Sequence, residues 1–375
     1  MGQRSFNPTR LTLARQRNGF TKQHLADLCG VSRRAVTAWE SGDVDNPPLE
    51  ALVTSLGFPL SFFLSDDPPL ISRESIAFRA LSTMTARQLD RILATTTFAL
   101  ELSDWINENY KTPRPNLPDF SEPDDLLPAV AAESLRSIWG LHERPVNQLL
   151  PLLERNGVRV FSLPIEDREV DAFSFWRDTE PYIFLNTGKT AERIRFDLAH
   201  ELAHLLMHRQ VVGQKSRSLE QDAQTFASNL LIPADALYAQ VVGRLRLGDV
   251  FKLKRYWRVS AVALVHRLAQ LAIISEWHYR TWMIELSQQG FRSSEPGGIH
   301  PEASRLFKEL LRLLREDGWS THRIASELNI PAREINGMVF GLAIAPAPAN
   351  ARTSQQPDLL MDTRKPPFPA LSVIK

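Results

Sequence analysis

The sequence predicts a mainly α-helical chain with one small antiparallel sheet, an α+β architecture. Three observations predict it. Apolar residues recur at spacings of three and four along most of the chain. Short runs rich in β-branched and aromatic residues are confined to 158–186, namely VRVFSL, AFSFW and YIFLN. Breaks rich in proline or glycine at 66–69, 111–125 and 297–298 separate the periodic stretches, as expected of several domains in 375 residues.

Residues 8–65 read as a bundle of about five short helices. In TKQHLADLCGVSRRAVTAWESG, one helix starts at a Thr21 cap and turns Leu25, Ala26 and Cys29 inward. Gly30 suits the tight left-handed turn that ends it. Ser32 caps a second helix with Val36 and Trp39 inward, which completes a helix-turn-helix. Residues 1–42 hold seven Arg or Lys against two acids, a balance suited to phosphate. The spacing and the W-E-S-G close resemble the XRE (Cro/repressor-like) family. That resemblance implies that the second helix enters the major groove, with Ser32, Arg33, Arg34 and Thr37 facing duplex DNA and Lys22 at a phosphate. A small protein-binding bundle is the alternative. Cys29 reads as a small buried apolar residue.

Asp66-Asp67-Pro68-Pro69 marks a boundary. IAFRALS, with Phe78 and Arg79, is expected to pack against a neighbour or to make dimer contacts. A long amphipathic helix follows through MTARQLDRILATTTFALELSDWINENY, with Leu89, Ile92, Leu93, Thr96 and Leu100 on one face. That stripe serves either a homodimer or docking on the next domain of the same chain. KTPRPNLPDFSEPDD, 111–125, is acidic and proline-rich and is expected to be a semi-extended spacer that lets its flanking domains move independently.

After two helical stretches and the three strand candidates comes RFDLAHELAHLLMH, 195–208. It carries H-E-x-x-H as His200, Glu201 and His204 on an unbroken, strongly helix-forming apolar background. Thr190 can cap the helix, and Glu192 in the first turn suits its dipole. One turn apart on one face, His200 and His204 can reach a single Zn2+, with Glu201 beside them as a base for water. A structural histidine pair on a buried helix is the plainer alternative. His208 continues the stripe, but about 12 Å from His200 along the axis it cannot join the same centre. Met207 and Gln210 stand where the metzincin pattern needs Gly and His, so that class is excluded.

A third protein ligand is required if a position is to stay open for water. SLEQDAQTFASNLLIP, 218–233, marks a second buried helix stopped near Pro233. Glu220 shares a stripe with Ala223 and Ala227 and is the first candidate; Asp222 is the second, and a solvated first-turn acid is the third reading. The run from AAESLRSIWG through RFDLAHELAHLLMH to LEQDAQTFASNLLIP, about 129–240, resembles the ImmA/IrrE family of zinc metallopeptidases. The resemblance implies a zincin-like domain with His200, His204 and Glu220 as zinc ligands and Glu201 as general base. Ala203 departs from the Gly usual there, and keeps the helix. The strands before the metal helix could offer an edge to an extended peptide, or simply hydrophobic support.

Beyond Pro233 the chain reads as helical, with Trp257, Trp277 and Trp282 as core and His266 and His278 as structural. STHRIASELNIPAREINGMVF aligns without gaps to the first helix-turn-helix at an offset of 299, with Asn329 where Gly30 stands. It predicts a second helix-turn-helix-like unit, or a hairpin that only packs. A lone Arg333 beside Glu334 argues against strong DNA binding by it. The expected division is 1–66 for DNA binding, 67–124 for the connecting helix and linker, 125–250 for the peptidase domain, 251–299 for a helical extension, 300–345 for the second unit and 346–375 for a disordered tail.

One cysteine excludes a disulfide framework and a thiolate metal site. No run reaches the ~18 apolar residues of a membrane span, and MGQRSFNPTR lacks the apolar stretch of a signal peptide. The expectation is a cytoplasmic regulator, without membrane association, that binds DNA and cleaves a repressor or antitoxin-like protein in a stress or mobile-element response. Two rivals stand beside it: a transcription factor whose peptidase-like domain senses a ligand or partner without proteolysis, and an antitoxin-type regulator.

Overall fold

The computed structural model describes residues 5–44, 46–72, 84–122, 126–163, 170–209, 217–291, 294–318, 320–343 and 371–373. Five helices form the N-terminal unit: α1 (Pro8–Arg17), α2 (Lys22–Cys29), α3 (Arg33–Ser41), α4 (Leu49–Leu56) and α5 (Leu60–Phe63). Side chains fix their starts by accepting first-turn N–H groups: Asn7 from Thr9 and Arg10, Thr21 from His24, Ser32 from Ala35. Gly30 closes α2 at φ 68°, the left-handed conformation the turn requires. Leu25, Ala26, Val36 and Trp39 are buried as their spacing predicts, and Cys29 is half-buried against the same core.

The connecting helix α6 (Ala86–Asn109) starts in a capping box of Thr85 and Gln88 and runs into strand β1 (Tyr110–Lys111). Its expected stripe is covered by the chain itself. Ile92, Thr96 and Leu100 are fully buried, and Leu89 and Leu93 partly so. The cover is α1 on one side and α17 (Ala332–Ala343) on the other. Phe98 lies 5.7 Å from Phe58 and 6.0 Å from Phe62 between ring centroids, and Arg10 pairs with Glu101 at 2.6 Å. Docking thus replaces dimerisation as the use of this stripe, and it reaches the DNA-binding bundle as well as the following domain. Thr95, Thr96 and Thr97 tolerate burial because each hydroxyl donates to the carbonyl four residues back.

Residues 112–120 are strapped to the next domain and are no spacer. The Asn116 and Phe120 amides donate to the Asn156 and Leu206 carbonyls at 3.0 and 2.8 Å. Where the strap passes Gly157, at φ 82°, a Cβ would fall 2.4 Å from the Pro115 nitrogen, so only glycine fits. Composition identified the prolines, but the backbone partners that hold them come from segments distant in sequence. The joining segment with Phe78 and Arg79 lies outside the described residues.

The second unit opens with α7 (Pro128–Ile138) and α8 (Leu149–Arg155). The three expected strands follow as β2 (Arg159–Ser162), β3 (Ala172–Arg177) and β4 (Glu180–Leu185). Their order is β2-β4-β3. β3 and β4 form the expected antiparallel hairpin, whereas β2 runs parallel to β4 with Arg159 opposite Tyr182. The sheet is therefore mixed, not purely antiparallel. Seventeen residues, β3 among them, separate β2 from β4, long enough for the crossover that parallel pairing needs. On this sheet lies α9 (Ala191–Met207), itself covered by α10 (Arg217–Leu231), which also packs on α7.

After α11 (Ala234–Gln240), helices α12 (Leu247–Trp257), α13 (Ala261–Gln270) and α14 (Glu276–Gln288) form the extension. Trp257 and Trp282 are core as expected, but Trp277 is exposed. The last helical group is α15 (Arg305–Glu316), α16 (Thr321–Glu327) and α17. Glu154 of α8 caps α15 from across the fold: its carboxylate accepts from the Ser304 hydroxyl and from the Arg305 and Leu306 amides. Burial pushes it up to about 7, against those three donors.

Asn329 takes φ 56° between α16 and α17, the left-handed turn expected at that position. Yet Ile335, Met338, Val339 and Leu342 bury α17 against β2, α6 and α15. The helix equivalent to a recognition helix is therefore interior, and the unit is a packing hairpin. The C-terminal tail is also not wholly disordered. β5 (Ser372–Val373) pairs antiparallel with β1, and Leu371 is buried. The apolar run LSVI supplies a strand that the preceding proline-rich composition obscured; the stretch 344–370 lies outside the described residues.

Candidate metal centre and nucleic-acid face

Helix α9 is fixed along its length before it reaches the histidines. Thr190 caps it, accepting from the Arg193 amide. Glu192, expected as a first-turn acid, is in addition buried and accepts the Ile299 amide at 2.6 Å. Asp197 is paired with Lys189 and Arg193. Arg195, buried one turn before the motif, donates to the Val146 and Arg258 carbonyls and pairs with Glu302. The result is a helix whose outward face is set by ion pairs and whose inward face is packed on aromatic strands.

His200 and His204 project from one face with their Nε2 atoms 3.2 Å apart. Glu220, from the second turn of α10, brings one carboxylate oxygen to 3.3 Å from His200 Nε2 and the other to 3.7 Å from His204 Nε2. Among the described residues this is one group of His, Cys, Asp and Glu side chains whose ligand atoms all lie within 4.8 Å of one another. A tetrahedral zinc with bonds of about 2.0–2.1 Å spaces its ligand atoms by roughly 3.3 Å, so the three donors fit that ion. Asp222 is not in the group; its charge faces His208 instead.

The electrostatics also favour a cation at the centre. Burial works against a charge on His200, but the hydrogen bond from Glu220 and the charges of Glu201, Glu220 and Asp197 outweigh it and raise its pKa. A metal can take the place of that proton. His208 Nδ1 lies 2.9 Å from His204 Nδ1, and burial lowers the His208 pKa. A neutral His208 can accept a proton from His204 Nδ1, which leaves the Nε2 lone pair of His204 for the ion. His208 is thus outside the centre, as its axial distance predicts, but bonded to one of its members.

Glu201 is buried beneath the pair, and burial pushes its carboxyl up to about 7, against His200 and a hydrogen bond from Ser174. Ser174 Oγ donates to it at 2.7 Å from the middle of β3. Sequence reasoning missed Ser174. The available signal was a lone hydroxyl inside AFSFW, where every neighbour is apolar and a buried hydroxyl needs a partner.

On the other unit, Ser32, Arg33, Arg34 and Thr37 are all exposed along the start of α3. The Ser32 hydroxyl caps α3, and Thr37 donates to the Arg33 carbonyl, which leaves the two guanidinium groups as the reaching side chains. Lys22 is turned inward to Glu40 at 3.1 Å, an acid that Arg15 also holds. The structure does not group Lys22 with the α3 face.

A capped, basic helix-turn-helix joined to a domain with two histidines and a carboxylate around one point defines a DNA-binding module fused to a metallopeptidase-like domain. Comparison with known families assigns each half. Residues 11–54 match the helix-turn-helix family model, and residues 153–269 match the model of the IrrE N-terminal-like domain. The chain is an XRE-type helix-turn-helix fused to an IrrE/ImmA-like domain, the architecture of a regulator with a peptidase-like domain. No curated protein matches the chain. No described helix is long and apolar enough to cross a membrane.

Proposed function

We propose that the chain is a cytoplasmic DNA-binding transcriptional regulator whose IrrE-like domain is a zinc-dependent endopeptidase. Its target is a specific repressor or antitoxin-like protein, cut in a stress or mobile-element response. The observation that carries the reading is the convergence of His200, His204 and Glu220 with Glu201 held beside them. In this reading the three converging side chains hold zinc, which supplies polarisation of the scissile carbonyl when bound. Glu201, poised near neutrality, takes a proton from water and passes it to the leaving amine. Ser174 keeps its carboxylate pointed at the site. β3 is the sheet's edge strand and lies against α9, so an extended peptide could pair along it beside the metal.

Zinc titration tests the ligand set. Glu220→Ala should weaken zinc by more than about 100-fold, beyond the loss usual for an outer partner, while Asp222→Ala should change it little. The reverse order would move the third ligand to Asp222.

For DNA, we propose that Arg33 and Arg34 read base edges, that Ser32 and Thr37 line the same contact, and that Lys22 reaches phosphate only by leaving Glu40. In binding assays on the full chain, Arg33→Ala/Arg34→Ala should cost about 1–3 kcal/mol of discrimination per lost base contact. Equal losses on all sequences would make them phosphate contacts instead. If two copies read paired half-sites, they meet through a surface other than the buried α6 stripe.

A further inference from the structure

A cavity of about 610 Å3 opens where α1, α6, the C-terminal ends of β2 and β4, and α17 come together. Its size is that of a small-molecule site. None of His200, Glu201, His204 or Glu220 lines it. Its walls carry three guanidinium groups, Arg17 from the DNA-binding bundle, Arg91 from the connecting helix and Arg333 from α17, against one carboxylate, Glu334. Glu334 is buried and is shared by Arg17 at 2.6 Å and Arg333 at 3.3 Å. Two positive charges therefore remain in excess at the lining.

The rest of the lining is polar in a way that suits an anion. The Ser162 and Thr187 hydroxyls face it, 2.9 Å from each other. The side-chain oxygen of Asn336 is buried with no hydrogen-bond partner. An amide in that position is satisfied by a ligand, and turned about its axis it presents two N–H donors there. Guanidinium groups match phosphate oxygens through paired N–H donors better than they match any uncharged ligand.

We propose that this cavity binds a small phosphorylated anion, a pyrophosphate or phosphate ester, between the DNA-binding bundle and the peptidase-like domain. Its occupant touches side chains from residue 17 to residue 341 and so ties the operator-reading unit to the rest of the chain. The site is independent of the metal centre and of whether that centre cleaves peptides.

The test is calorimetry on the full chain at low salt with inorganic pyrophosphate as the probe. One pyrophosphate per chain should bind, and Arg91→Gln/Arg333→Gln should raise Kd by roughly ten- to a hundredfold, the loss expected for charge-assisted hydrogen bonds. Asn336→Asp keeps every arginine and places a carboxylate in the cavity; it should weaken binding as well, so the conclusion does not depend on one variant folding. Absence of binding at about millimolar pyrophosphate overturns the proposal. So does a Kd unchanged in both variants, or binding that is lost instead on removing Arg33 and Arg34 from the DNA-facing surface.

Discussion

Glu201→Gln should leave zinc bound as in the wild type and slow peptide-bond hydrolysis by about 10²–10⁴, the contribution of a positioned general base. Gln keeps the volume and can still accept the Ser174 hydroxyl, so the helix and the three converging ligands stay in place. What it loses is the proton acceptor, and with it a carboxyl that burial places near neutrality. Proteins cleaved in cells expressing the wild type and intact in cells expressing the variant would be the substrates. If hydrolysis persists in the variant, Glu201 is not the base. If no protein differs between the two strains, the domain works by binding instead of cutting.

Arg195→Met should destabilise the fold by about 3–5 kcal/mol, the cost of leaving a buried charge without its partner. The pair with Glu302 is almost wholly buried on both sides, at 1% and 5% side-chain exposure. Methionine also abandons the Val146 and Arg258 carbonyls. Glu302 would keep only the Leu150 amide as a donor. Adding Glu302→Gln removes the orphaned charge and should recover a substantial part of the loss. Urea-unfolding midpoints of the two variants measure this. A single-variant cost under about 1 kcal/mol would mean that water reaches the pair, as it does at a protein surface.

The sequence carried the metal helix almost completely, for a local reason. Positions i and i+4 share a helix face whatever surrounds them, so His200 and His204 must point together. The caps at Thr21, Ser32 and Thr190 and the turns at Gly30 and Asn329 were legible on the same grounds. Glu220 came from a second helical stripe and from the family pattern, and its closeness to the histidines needed the packing of α10 on α9. Ser174 was not found, because the partner that satisfies it lies 27 residues away. Periodicity showed that α6 has an apolar face, but not that α1 and α17 would cover it. The same limit applied to the strap at 112–120 and to the parallel pairing of β2, both of which depend on partners brought in by the tertiary fold.

The ion pair between Arg17 and Glu334 joins residues 317 apart in sequence. On a ribosome adding about 5–20 residues per second, the operator-reading bundle is made some 16–60 seconds before the segment that will lean on it. Its five helices bury their own core and can settle early, close to the DNA from which their message is being copied. Each newly made molecule thus passes through an interval in which that bundle exists without α17 beside it, and its affinity for an operator in that interval need not equal that of the finished protein.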